Sequence, residues 1–202
     1  MRRSKEDTNA TIRKLLEVAR SHFTEHGYAK ASLESIVQEA AVTRGALYHH
    51  FRNKQMLFRT VLEAVQHEVA EHVEQEAAQG TDVWEQLYLG CRAFVMAAVA
   101  PHNKRILLID GPAVLGWEAW RDMDERHSMR LLRSQLDMMQ QVGAIKRGSI
   151  RAMTHFLSGG LNEMTLWHAQ ESASNERKLN LEETMATIAM FLEGVKQQEG
   201  EK

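Results

Sequence analysis

Only two prolines, Pro101 and Pro112, interrupt 202 residues. Proline removes a backbone donor and clashes with the preceding turn, so it is the strongest helix breaker. A chain this poor in it, and rich in Ala, Leu, Glu, Met, Arg and Gln, is committed to helix almost throughout. Apolar residues agree, recurring at helical rather than alternating spacing. Ile12, Leu15, Leu16, Ala19 and Phe23 mark a first helix from about Thr8 to His26, which Gly27 closes. Ser32 caps a second, with Leu33, Ile36, Val37 and Ala40 inward. After a break at Ala41–Val42, Thr43 caps a short third helix to about His50.

Three helices in some fifty residues, the last two short and tightly joined, form a helix-turn-helix layout. Longer helices are expected beyond it: Lys54 to Gln79, a helix capped by Asp82 that runs to Ala100, Asn103 to Ile109, Trp117 to Val142, Ser149 to His168 interrupted by Gly159-Gly160, and Asn180 to Gln197. DGPAVLG reads as a turn-rich joint and ESASNERK as a polar loop. The fold class is therefore all-α. A three-helix domain over residues 1–53 sits on an antiparallel bundle over 54–202, about nine helices in total.

Charge divides along the same line. Residues 1–54 hold ten Lys and Arg against six Asp and Glu, a balance of +4. The remainder holds 15 against 21, a balance of −6. A basic head on an acidic body suits an anionic partner met by the head. The single cysteine, Cys91, allows no intrachain disulfide or Cys-based zinc site. No run is long and apolar enough to span a bilayer and the N-terminus has no signal-peptide core, so the expected location is the cytoplasm.

The stretch RGALYHHFRNK carries the chemistry. Leu47 and Phe51, four apart, form the inner face of the third helix. Arg44, Gly45, Tyr48 and His49 then project outward. Gly45 and Ala46 let the backbone approach a surface. Arg44 suits a guanine edge, and Tyr48 and His50 suit phosphate oxygens. Lys54 adds charge at the next helix's N-terminus, and Ser32 caps the helix that crosses a phosphate backbone. Adjacent His49 and His50 point about 100° apart, which argues against a shared metal ion.

Residues 12–58, above all RGALYHHFRNKQMLF, resemble the DNA-binding domain of TetR-family transcriptional regulators. The resemblance covers about a quarter of the chain. It implies that Arg44, Gly45, Ala46 and His49 approach bases, while Ser32, Tyr48, His50 and Lys54 touch phosphates. Thr43 is the cap between them. The family's turn glycine is replaced by Ala41, at a cost of roughly 1 kcal/mol for a left-handed alanine. RILLIDGPAVLGWEAW resembles a subgroup of the family's effector domains.

The resemblance further implies a repressor acting as a homodimer on a palindromic double-stranded DNA operator, released by a small apolar or amphipathic effector. Candidate pocket residues are Cys91, Phe94, Trp117, Trp120, His127, Phe156, Asn162, Glu163 and Trp167. Singly, each suits core packing as well. Candidate dimer-interface residues are Gly159, Gly160, Met185, Ile188, Phe191 and Leu192. No P-loop, dinucleotide-binding glycine pattern, HExxH or GxSxG is present, so no enzyme activity and no cofactor is expected. Three rivals remain: a Cys91–His catalytic pair, a DNA-binding regulator with no effector, and a hydrophobe carrier with a vestigial head.

Overall fold

The computed structural model describes residues 5–171 and 181–197. Its helices are α1 (Lys5–Lys30), α2 (Leu33–Glu39), α3 (Arg44–Phe51), α4 (Lys54–Ala77), α5 (Val83–Val99) and α6 (Pro101–Lys104). A π-helical turn (Arg105–Asp110) follows, then α7 (Gly111–Leu115), α8 (Trp117–Arg126), α9 (Ser128–Gln141), α10 (Ile150–Glu171) and α11 (Leu181–Glu193). Among the described residues no strand forms, and Ile145 and Lys196 make one isolated antiparallel bridge. No helix among them is long and apolar enough to cross a membrane.

The chain divides into two compact units, Met1–Gln66 with Pro101–Asp122 and His67–Ala100 with Met123–Lys202. In the first unit Leu15, Ala19, Phe23, Ile36, Leu47, Phe51, Leu57, Phe58 and Leu62 make the buried core. Phe23 meets Phe58 edge-on at 5.1 Å, and Tyr28 joins them at 5.2 Å from Phe58. Gly27, the expected end of the first helix, adopts φ 74°, ψ 164°, and one further helical turn follows it to Lys30.

That kink is held by the 101–122 segment of the same unit. The Tyr28 amide donates to Asp110 Oδ2 at 2.8 Å, and Arg105 Nη1 donates to the Glu25 carbonyl at 3.0 Å. Arg20 donates to the buried Asn103 Oδ1 at 2.9 Å.

DGPAVLG is helical, not a loose joint: it contains the end of the π turn and all of α7. The π register has a chemical cause. The Gly111 amide bonds the Ile106 carbonyl, five residues back. The next acceptor in that register, Leu107 O, faces Pro112, which has no N–H. Trp120 Nε1 supplies the missing donor at 2.9 Å, inside the core. A Cβ on Gly111 would lie 2.9 Å from both Ile106 O and Trp120 Cδ1, so glycine is what lets the indole reach.

In the second unit α5 packs on α9 and α10, and α9 packs on α10. Asp82 caps α5 by accepting from the amides of Trp84 and Glu85. The expected long helix Trp117–Val142 is two helices, broken at His127. The expected interruption at Gly159-Gly160 does not occur, and α10 runs through both glycines. Residues 172–178 of the expected polar loop and the expected helix start at Asn180 lie outside the described residues.

Trp120→Phe keeps the ring packing but strips the donor from the Leu107 carbonyl. A buried unpaired acceptor costs about 1–3 kcal/mol. Urea unfolding of the variant is expected to show a loss in that range. An unchanged midpoint and slope would mean that the indole bond does not hold the π turn.

Candidate functional site

The short helix α3 is built to face outward. Thr43 Oγ1 accepts from the Ala46 amide at 3.2 Å and starts the helix, while Leu47 and Phe51 are its buried pair. Eight residues can bury little more, so Arg44, Gly45, Tyr48 and His49 are exposed, with Ala46 and His50 half-buried. Both corners that bracket α3 use a non-glycine residue with positive φ, Ala41 at 55° and Arg52 at 54°. The alanine substitution in the turn therefore takes the left-handed conformation that the sequence required of it.

Arg44 and Tyr48 share one face. The guanidinium lies 5.7 Å from the ring centroid, and its hydrogen bond to Tyr48 pushes the arginine pKa upward. Tyr48 remains 40% exposed, so it is not consumed by packing. A Cβ on Gly45 would meet only Thr43 Oγ1, at 4.0 Å. Nothing inside the protein requires that glycine, and its absent side chain clears a path for an external surface. Ser32 Oγ accepts from the amides of Glu34 and Ser35 at 3.2 and 3.4 Å. The Ser32 and Thr43 hydroxyls thus accept inward and retain their O–H groups as outward donors.

Lys54, an expected phosphate contact, stands at the start of α4 with its ammonium beside the end of α1. Its Nζ donates to the Ala29 carbonyl at 3.3 Å and sits 4.6 Å from the Tyr28 ring centroid. Partial burial holds its pKa below the ordinary value, opposed by Asp110. The cap of α4 is Asn53, whose Oδ1 accepts from the Met56 amide at 2.8 Å. An asparagine immediately before a helix is a cap signal that sequence reasoning passed over.

The second unit contains a cavity of about 290 Å³. Its apolar wall comes from Val73 and Ala77 of α4, Leu87, Cys91 and Phe94 of α5, Met129, Leu132 and Met138 of α9, and Leu161 of α10. Glu74, Gln86, Asp124, Ser128, Ser134, Gln135 and Ser158 supply the polar groups. Gln135 Nε2 donates to the Val83 carbonyl at 2.9 Å and to Gln86 Oε1 at 3.4 Å; Gln86 Nε2 donates to the Gly80 carbonyl at 3.3 Å. The turn closes tightly on Gln86, since a Cβ on Gly80 would lie 2.5 Å from its amide nitrogen.

Of the expected pocket residues, Cys91 and Phe94 line this cavity. Asn162 stands one step behind the wall, where its Nδ2 donates to Ser158 Oγ at 3.4 Å. The others do not line it. Trp120 belongs to the π turn of the first unit, and Trp117 is exposed beside it with ring centroids 5.1 Å apart. Glu163 and Trp167 are exposed, Phe156 is 70% exposed, and His127 stands at the α8–α9 break with its ring 5.9 Å from His67. Burial drives the Cys91 thiol up to about 12, so it is protonated at neutral pH and no nucleophilic thiolate forms.

The expected interface residues also divide. Met185, Ile188 and Leu192 are buried within the protomer, which removes them from any external face. Gly159 and Gly160 are exposed, with open space where each Cβ would stand. Phe156 and Trp167 on α10, and Met190 and Phe191 on α11, are exposed large apolar side chains.

The sequence matches two family models: bacterial regulatory proteins of the tetR family over residues 15–61, and the tetracyclin repressor-like C-terminal domain over residues 84–195. It is similar to a TetR-family transcriptional regulator of Pectobacterium atrosepticum whose crystal structure is known. The two share 30% identity and a TM-score of 0.81, over 97% of this chain and 99% of that one. It is also 38% identical over 73 residues to the HTH-type transcriptional regulator TtgR of Pseudomonas putida, covering 36% of this chain and 34% of that protein. A third relative is the HTH-type transcriptional regulator AcrR of Shigella flexneri, 36% identical over 70 residues, or 35% of this chain and 33% of that protein. The chain thus spans about a third of the length of these two curated relatives.

Gly90, inside α5, lines the cavity, and a Cβ there would make ordinary contacts of 3.5 Å with Ala77 and 3.8 Å with Val73. Helical glycine costs about 1 kcal/mol relative to alanine. Gly90→Ala is expected to raise stability by roughly 0.5–1 kcal/mol in urea unfolding. Destabilisation would mean that the α4–α5 packing has no room for a methyl group.

Proposed function

The chain belongs to the TetR family of bacterial regulatory proteins, and from that premise we propose a repressor that binds a palindromic operator as a homodimer and is released by a small apolar or amphipathic ligand. As a member of the family it is a DNA-binding transcriptional regulator. The observation that carries the finer reading is the outward face of α3: Arg44, Gly45, Tyr48 and His49 are exposed, and the glycine has no internal use.

On DNA, α3 enters the major groove with Arg44 directed at base edges and Gly45 and Ala46 close against them. His49 reaches the same groove. The phenol of Tyr48, the His50 ring and the Ser32 and Thr43 hydroxyls bond phosphates and fix the register. Lys54 braces the end of α1 through one N–H, and its remaining donors join the phosphate contacts.

The exposed apolar side chains of α10 and α11, with Gly159 and Gly160 among them, support the dimer. Glycines with open space outside let two helices approach closely, which offsets their cost to the helix. Two α3 helices would then read half-sites about one helical turn, or a multiple, apart. The cavity supports the effector. A ligand need only prefer the arrangement that fits the operator poorly; equal affinity for both arrangements would shift nothing.

The double variant Arg44→Ala with Tyr48→Ala changes exposed side chains and leaves the buried pair Leu47 and Phe51 in place. It is expected to remain a folded dimer by light scattering and circular dichroism while losing the protected palindrome in a footprint on DNA upstream of its own gene. Competitor DNA and a fixed near-physiological salt are required, because phosphate contacts make affinity salt-dependent. A normal footprint from the double variant would show that α3 does not read the operator.

Gly159→Leu tests the dimer. Its side chain meets nothing within the protomer. The variant should therefore fold normally yet run as a monomer in sedimentation. A stable dimer would place the interface elsewhere.

A further inference from the structure

Residues 55–202 hold 15 Lys and Arg against 21 Asp and Glu, yet three of those cations meet around one small pocket of the second unit. The pocket has a volume of about 110 Å³. Arg130 and Arg133 line it from α9 and Arg151 from α10, and His155 adds an imidazole one turn beyond Arg151. Met129 and Thr154 are its buried residues. The Thr154 hydroxyl donates to the Ile150 carbonyl at 2.7 Å, so the guanidiniums are the donors that a guest would meet. Among the described residues Glu125 of α8 is the one carboxylate in the lining.

The arginines are not neutralised from within. Arg130 Nε donates to the Arg126 carbonyl at 3.4 Å, and among the described residues none of the three guanidiniums is ion-paired with Glu125 or with any other acid. Asp137, one turn after Arg133, instead accepts from Gln141 Nε2 at 2.7 Å. Two of these placements work against their own helices. Arg130 and Arg133 are like charges three apart. Arg151 lies in the first turn of α10, where the helix dipole disfavours a cation and no acidic residue offsets it. An anion held between α9 and α10 relieves both.

We propose that this pocket binds a phosphate-type oxyanion, as a site separate from the effector cavity. Each guanidinium is a rigid fork of donors that matches the oxygens of such a group, and three of them approach from two helices. The arginines and the glutamate together leave the lining at +2, three positive charges less one negative, which is the charge that a dianion balances. The site does not depend on what fills the larger cavity, although Met129 lines both.

The test is a calorimetric titration of the full-length protein with inorganic phosphate, phenyl phosphate and nitrate, at an ionic strength fixed with chloride. Both phosphates are expected to saturate one site per chain and to bind about tenfold or more tighter than nitrate, as charge-assisted bonds to a dianion predict. Arg133→Ala and Arg151→Ala should each weaken phosphate by about tenfold or more. Both side chains are exposed, so circular dichroism should show both variants folded. Arg147→Ala removes an exposed cation that does not line the pocket and should leave the affinity unchanged. Equal affinity for the two phosphates points to free phosphate as the source, and tighter binding of the ester points to a phosphorylated small molecule; either supports the site. No saturable binding, binding no tighter than that of nitrate, or an equal loss in Arg147→Ala overturns it.

Discussion

An eight-residue helix can bury one pair of side chains, and that limit governs the reading head. Leu47 and Phe51 take the inward positions of α3, so Arg44, Gly45, Tyr48 and His49 face out. The geometry is fixed from both ends. Thr43 caps the start, and Ala41 and Arg52, both at positive φ, turn the chain into and out of the helix. Such conformations cost of order 1 kcal/mol or more for residues with a Cβ. Leu47, Phe51, Ile36, Phe23 and Phe58 are all buried in the core of this unit, and that burial offsets the cost.

The same unit depends on a second, less visible constraint. Pro112 removes a backbone donor where the chain needs one, and the π turn displaces the hydrogen-bond register by a residue. Trp120 repairs the gap at Leu107, and Gly111 makes room for the repair. Asp110, the last residue of that turn, then accepts from the amide just past the kink at Gly27. Arg105, its first residue, bonds the carbonyl just before that kink. The positive φ of Gly27 is thus braced from outside α1 by one segment of six residues, Arg105–Asp110.

Local features were legible in the sequence because their causes are local. The caps Ser32, Thr43 and Asp82 and the inward pair of α3 all follow from residue types within four positions, while the left-handed turn at Ala41 came from the family resemblance. The break at His127 and the helicity of DGPAVLG were not legible. Both sides of His127 are amphipathic, so one continuous helix and two broken ones leave the same periodicity. DGPAVLG carries turn residues that here serve a π register completed by a tryptophan nine positions beyond its first glycine. The contacts of Lys54 were not legible for a similar reason: its partners, Ala29 and Tyr28, are some 25 residues away.

The cavity shows why aromatic content is a weak guide to a ligand site. Trp117, Trp120, Phe156 and Trp167 were candidates because rings often wall pockets, yet they form a π-turn plug, its exposed neighbour and a face of α10. A large flat ring fills volume, and a cavity persists where the side chains are too small to fill it. Gly90, Ala77, the three serines and the mid-sized aliphatics around Phe94 leave that space. The informative sequence signal was a glycine inside α5, which costs helix stability, facing Ala77 and Val73 of α4. Small residues opposed across two helices mark an unfilled interior more directly than large ones do, and the polar groups at its ends then determine what can fill it.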